Sequence, residues 1–187
     1  GVSREDTVTW PGEALPVIGV RHLQDAGVAP VSELDEIGFS APERARESAV
    51  EVGDVLLTGR GTLLKFGLVG PQTAGAIASG NIIVIRPGPQ VVGGALFALL
   101  SSEAFRPKIE VLRRGATTLL SLSAKDVANL EVSLPPLAEQ QAIAALVIEG
   151  EAAYRAALDA AELRRALTRS IVADSLFSRH RSGNQDA

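Results

Sequence analysis

Thr58, Arg60, Thr62 and Lys65 stand on or beside the pentapeptide Thr58-Gly59-Arg60-Gly61-Thr62. A glycine-rich turn lets backbone and side chains come close to a surface. Arginine can bond guanine in a bidentate manner, and threonine or lysine can hold phosphate oxygens. A second stretch of the same kind is Arg113-Arg114-Gly115-Ala116-Thr117-Thr118, with Arg113, Arg114 and Thr117 as its donors. A solvated hairpin tip is the plainer reading of either stretch alone. Both lie in residues 55–125, which hold eight Lys/Arg against Glu103 and Glu110. Residues 1–54 hold eleven acids against four Lys/Arg. Such a split, in a chain whose net charge is −4, points to a polyanion-binding face.

Groups that make and break bonds are scarce. His22 and His180 are the histidines, and there is no cysteine. No Ser–His arrangement and no thiolate or mixed metal cluster can be assembled from them. Gly59-Arg60-Gly61 is not a Walker loop, because no Gly-Lys-Ser/Thr follows, and it opens no helix of a βαβ unit. Gly93-Gly94 before a helix could seat an anion, but starting a helix is the plainer role. Pro135-Pro136 lacks the flanking polar and aromatic residues of an adenine methyltransferase site. We therefore expect no catalytic residue, no metal and no cofactor.

Elements that would position the two basic stretches can be read from pattern. Val50–Leu57 and Leu63–Val69 are apolar runs on either side of the glycine-rich turn and read as a hairpin. Leu15–Val20, Gly27–Val31, Asn81–Arg86, Leu119–Leu122 and Leu130–Leu134 read as strands or extended pieces. Residues 32–49 are charged and aperiodic, which suits a loop with a helical turn. Gly94–Phe105 has helical spacing, with Leu96, Leu99 and Leu100 on one side. Ile109–Leu112 is ambiguous. Ser123-Ala124-Lys125-Asp126 has the form of a capping box, so a short helix should run to Ala128.

After Pro135-Pro136 the character of the chain changes. From there to Phe177 there is no further proline after Pro136 and one glycine, Gly150. Pro136 suits a helix start, and Glu139 suits the positive end of the helix dipole. A helix from about Leu137 to Phe177 would span roughly 60 Å at ~1.5 Å per residue. Ile143, Leu146, Gly150, Ala153, Ala157, Ala160, Arg164, Leu167 and Ile171 alternate steps of three and four, the coiled-coil spacing. Small residues in mid-seam allow close approach of a partner helix.

At 187 residues the chain suits one domain plus an appendage. With 46% hydrophobic but only 4% aromatic residues, its core must be aliphatic. No run approaches the roughly 18 apolar residues that would span a bilayer, and no signal segment opens it. A soluble cytoplasmic protein is the expectation. The chain contains no methionine and begins at Gly1, which points to a start set by processing or trimming.

Residues 115–144, GATTLLSLSAKDVANLEVSLPPLAEQQAIA, resemble the end of a target recognition domain in the specificity subunits of type I restriction–modification systems. A Gly-polar loop leads to a short helix, then to a strand ending in Leu134-Pro135-Pro136-Leu137-Ala138-Glu139-Gln140, then to a long helix that carries Ile143-Ala144. Upstream, Gly53-Asp54-Val55-Leu56-Leu57, Gly59-Arg60-Gly61-Thr62 and Lys65-Phe66-Gly67-Leu68-Val69 resemble another segment of that family. So does Leu15–Val20 with Gly27-Val28. Two features depart from the family pattern. The residues that usually precede the first strand, a helix among them, are missing. A complete family subunit also carries two recognition domains and two long helices, whereas this chain has one of each.

The resemblance implies half a specificity subunit. Its fold would be α+β: a compact, β-rich recognition domain over 1–134, shortened at its start, and a spacer and dimerisation helix over 135–178. Residues 179–187 would form a disordered tail. The helix would pair antiparallel in a coiled-coil-like manner through Ile143, Leu146, Ala153, Ala157, Ala160, Leu167 and Ile171. The implied function is non-catalytic recognition of a bipartite sequence in double-stranded DNA, as part of defence by restriction and modification. The implied partners are a DNA methyltransferase (modification) subunit, a second copy of the chain and, where a nuclease takes part, a restriction subunit. Two alternatives remain open at this stage. One is a protein-interaction adaptor on the same scaffold, using the acidic residues 1–54. The other is a fragment of a fused methyltransferase–specificity polypeptide.

Overall fold

The structure, a computed structural model, describes residues 12–24, 27–116 and 119–182. The chain divides into two units, Gly1–Ile148 and Glu149–Ala187.

In chain order the elements of the first unit are β1 (Glu13–Ile18), a 3-10 turn, β2 (Leu23–Gln24), β3 (Gly27–Val28), a second 3-10 turn, β4 (Asp35–Phe39) and α1 (Pro42–Arg46). Then come β5 (Val55–Thr58), β6 (Arg60–Gly61), β7 (Phe66–Leu68), β8 (Ile77–Ala78) and β9 (Ile82–Ile85). They are followed by α2 (Gly93–Ser101), α3 (Arg106–Glu110), β10 (Arg114–Ala116), β11 (Leu119–Ser121) and α4 (Ala124–Ala128). The long helix α5 (Leu137–Ser182) starts in the first unit and makes up the described part of the second. Among the described residues the strands form small sheets in the orders β4-β1-β8, β2-β3, β7-β5-β9 and β10-β11-β6.

β5 is the axis of the core. Val55, Leu56, Leu57 and Thr58 are all at 0% exposure. Successive side chains on a strand point to opposite faces, so a strand buried on both faces needs a continuous apolar run rather than an alternating one. Val55 and Leu57 pack with Leu64, Phe66, Leu96, Leu100, Phe105 and Ile109. Leu56, on the other face, packs with Ile18, Leu23, Val28, Val50 and Val69. The core is aliphatic with Phe66 and Phe105 as its aromatic members, as composition requires.

Close backbone approach explains Gly93 and Gly94. A Cβ on Gly93 would lie 1.9 Å from the Gly53 carbonyl oxygen, and one on Gly94 would lie 2.7 Å from the Ala144 Cβ. These glycines let α2 sit against the Gly53 turn and against the start of α5. Gly53 itself has φ +93°, which its turn demands of a residue without a Cβ.

The helix after Pro135-Pro136 begins as its sequence dictates. The Pro136 carbonyl accepts from the Glu139 and Gln140 amides at 2.9 and 3.1 Å. Gln140 is buried, and its side chain makes three bonds. Oε1 accepts from the Val92 amide at the start of α2 (2.9 Å), and Nε2 donates to the carbonyls of Pro135 (2.8 Å) and Gln90 (3.3 Å). Within the second unit, described residues from Glu149 onward present no buried side chain.

Expectation and structure differ at the end of α5, which runs to Ser182 rather than stopping near Phe177 (residues 183–187 of the expected tail lie outside the described residues), and at two further elements. Residues 32–49 hold a strand as well as a helical turn: β4 pairs antiparallel with β1, from Glu13↔Phe39 to Val17↔Asp35. β4 is an edge strand with three exposed residues at its start, so no alternating apolar pattern marks it. Leu130–Leu134 has that alternation and yet joins no ladder. Pattern alone cannot supply a neighbouring strand.

Candidate nucleic-acid interface

The first basic stretch leaves β5 at Gly59. The amides of Gly59 and Arg60 both reach the Asn81 carbonyl, at 2.7 and 3.2 Å. Gly61 follows at φ +147°. Between β5 and β7, which pair from Val55↔Leu68 to Leu57↔Phe66, the chain is thereby diverted into a different sheet. There β6 pairs antiparallel with β11 through Ser121↔Arg60 and Leu120↔Gly61. On its other side β11 pairs with β10 through Arg114↔Ser121 and Gly115↔Leu120. The Leu122 amide extends the join with a 2.7 Å bond to the Gly59 carbonyl. Two basic stretches far apart in sequence are thus laced together by β11.

This register sets Arg60, Ser121 and Arg114 in one row, and all three are exposed. Residues directly opposite each other in a ladder project from the same face. With strands ~4.8 Å apart, the two arginine backbones stand about 10 Å from each other. A cleft of about 430 Å³ opens beside Arg60 and Ser121, lined also by Gly59, Gly80, Ile83 and Ala124 among others. At its edge Ser123 caps α4: its Oγ accepts from the Asp126 amide at 3.0 Å and bonds the Asp126 carboxylate at 2.7 Å.

The sequence-predicted residues divide into outward and inward groups. Arg60, Thr62 and Arg114 are exposed. Lys65 is half-buried and donates through Nζ to the Leu23 carbonyl at 2.9 Å. Thr58 and Arg113 do not face solvent, and the packing of the loop is the reason. The Thr58 Oγ1 accepts from the Lys65 amide at 3.2 Å, closing the base of the loop. Arg113, its side chain 2% exposed, bonds the carbonyls of Gly61 and Thr62 and the carboxylate of Glu110. Thr117 lies outside the described residues. Ser121 and Arg106 are the members that sequence reasoning missed. Arg106 donates to the Leu64 carbonyl and stands 5.5 Å from the centre of the Phe66 ring. Neither has a local signature, since both owe their place to tertiary pairing.

The positive charge of residues 55–125 is only partly available to a ligand. Arg86 bonds buried Asp54 through Nε (3.0 Å) and Nη2 (2.8 Å), and meets Glu51 at 2.8 Å. The hydrogen bonding of the Arg86 guanidinium to the Asp54 carboxylate is the main cause that raises the Arg86 pKa. His22 is buried and accepts the Gly19 amide on Nδ1 at 2.8 Å, which is a packing role. Among the described residues, no group of His, Asp and Glu is disposed to hold a metal ion, and no helix is long and apolar enough to cross a membrane.

The order of a β-rich domain and then a long helix after Pro135-Pro136 has counterparts among known proteins. Residues 6–147 match the family described as the type I restriction modification DNA specificity domain. The chain belongs to that family. The resemblance carried by Gly115–Ala144 is thereby borne out, and so is the expected order of β-rich domain and long C-terminal helix. Solved structures agree on the fold. The HsdS subunit from Thermoanaerobacter tengcongensis superposes with a TM-score of 0.56 at 23% identity, over 86% of this chain and 40% of that one. A chain from work on complex assembly and conformational transition of the type I R-M system gives 0.55 at 25% identity, again over 86% and 40%. This specificity domain thus spans about 40% of the length of those chains. No curated protein matches it.

Proposed function

We propose that this type I specificity domain reads one half of a DNA target and brings a DNA methyltransferase subunit to it, without catalysing a reaction itself. The observation that carries the reading is the row Arg60–Ser121–Arg114. The major groove is ~12 Å wide and admits a β-ribbon, and a separation of about 10 Å between two arginine backbones fits within it. Arg60, Thr62, Lys65, Arg114 and Thr117 are the proposed contacts to phosphates and base edges. Thr58 and Arg113 act from beneath, by shaping the loop.

In this reading residues 1–134 recognise DNA, and residues 135–178 space and pair two copies antiparallel. Exposure of Leu146, Leu167 and Ile171 at 70%, 58% and 56% supports a partner for the helix. Ile143, Ala153, Ala157 and Ala160 complete the proposed seam. A twofold pair implies a bipartite palindromic target. A restriction subunit joins where cleavage accompanies modification, and the work is done in the cytoplasm, where the host DNA lies.

Methylome sequencing of the host with and without this chain tests the proposal. The expected result is a bipartite methylated motif that disappears with the chain. A duplex carrying that motif should then be retarded by the chain plus its modification subunit, at stated ionic strength. An unchanged methylome together with no sequence preference in the binding assay would overturn the reading.

A further inference from the structure

Resting on the reading above, we infer that Arg113 and Arg106 are positioning residues. They hold the loop of residues 61–65 in one conformation before DNA arrives, so that Arg60 and Thr62 meet the duplex in fixed register. Two side chains occupy three carbonyls of this loop. Arg113 donates to the Gly61 carbonyl, to the Thr62 carbonyl at 3.4 Å and to Glu110 at 2.9 Å. Arg106 donates to the Leu64 carbonyl and lies over the Phe66 ring. Leu64 is buried at 1% and pins the loop from below. Thr62 and Leu63 are exposed, Leu63 at 65%.

Stability alone does not account for Arg113. Its side chain is 2% exposed whereas its ionic partner Glu110 is 39% exposed, and its Nε has no partner. A buried cation with an unmade hydrogen bond carries a desolvation cost that an apolar side chain of similar volume would not. Such a side chain would not bond backbone carbonyls. Gly59 and Gly61 stand at the start of the loop, so without those bonds it has many accessible conformations. Ordering it on binding would subtract from affinity, and most where one geometry is required, on the target sequence. Unrelated DNA, held through phosphates, makes no such demand.

The test uses the full chain with its modification subunit. Affinities are measured across a salt series for a duplex carrying the methylated motif and for an unrelated duplex. The variants are Arg113→Met, Arg113→Lys and Arg106→Met. We expect Arg113→Met to lose about tenfold or more of its preference for the target. Binding to unrelated DNA and the salt slope stay as in wild type, and Arg113→Lys recovers part of the preference. Arg106→Met shows the same pattern more weakly. A salt slope reduced by about one would mean that Arg113 touches a phosphate, and overturns the inference. Unchanged preference in the Met variants overturns it as well. If circular dichroism shows Arg113→Met unfolded, Arg106→Met, at an exposed position, decides by the same criteria. A wild type without preference takes down the proposed function and this inference together, whereas preference kept by the Met variants takes down this inference alone.

Discussion

Arg60 and Arg114 face the same residue from opposite sides: each is paired across a ladder with Ser121. This one register converts two separate basic stretches into a single exposed row. If both arginines hold phosphates, each should contribute about 0.9 to the slope of log K against log salt. Arg60→Ala and Arg114→Ala are therefore expected to lower that slope by roughly 0.9 each, and the double variant by roughly 1.8. Titration of duplex DNA at several salt concentrations measures it. A slope unchanged in the double variant would remove both residues from the interface.

Pairing of the long helix is separately accessible. Ala157 and Ala160 are small residues at the middle of the proposed seam. Replacing both with glutamate puts two like charges per copy into a close contact, which should drive the copies apart. Light scattering should show wild-type chain at twice the mass of the Ala157→Glu/Ala160→Glu variant. Equal masses would mean that another face of the helix, or no second copy, is used.

Gly94 lies where α2 meets the start of α5. Alanine there would gain about 1 kcal/mol of helix propensity. Its Cβ would also stand 2.7 Å from the Ala144 Cβ and 2.9 Å from the Ala144 Cα. Such overpacking costs about 1–3 kcal/mol, and an α-carbon within a helix cannot rotate aside. The clash should win, so Gly94→Ala is expected to lower stability in chemical denaturation. Ala144→Gly in the same chain removes only the Cβ contact and leaves the 2.9 Å approach to the α-carbon, so it should restore little of the loss.

Gln140 and Glu139 are neighbours with unequal expected losses. Gln140→Ala leaves the Val92 amide and the Pro135 carbonyl without their partner, at a cost of about 1–3 kcal/mol. Glu139 is exposed in the first turn of α5, so Glu139→Gln should remove only the dipole interaction, about 0.3–1 kcal/mol. Thermal melts of the two variants side by side check the order. A smaller loss at Gln140 than at Glu139 would contradict the bonding described.

Much of this architecture was legible in the sequence because local rules govern it. The continuous apolar run of Val55–Leu57 reads as a buried strand, and Pro136, Glu139 and the proline-free stretch beyond them read as a helix start. Ser123 and Asp126 read as a cap. Where such rules fell short, the deciding neighbour was distant. β4 exists because β1 lies beside it, and Leu130–Leu134 pairs with no strand among the described residues. Arg86 counts as a cation in composition, but Asp54, 32 residues away, engages it.

The same division runs through the candidate site. Amino-acid order determined that two basic, glycine-bearing stretches exist, that a β-rich body precedes a long helix, and which family the chain belongs to. Side-chain chemistry and short-range periodicity are properties of consecutive residues, so they can be read directly. Tertiary structure decided that Arg60 and Arg114 stand in one row, and that Thr58 and Arg113 turn inward to hold the loop. Those outcomes depend on the ladder register of β6, β11 and β10 and on burial against α3, relations between segments that no local pattern encodes.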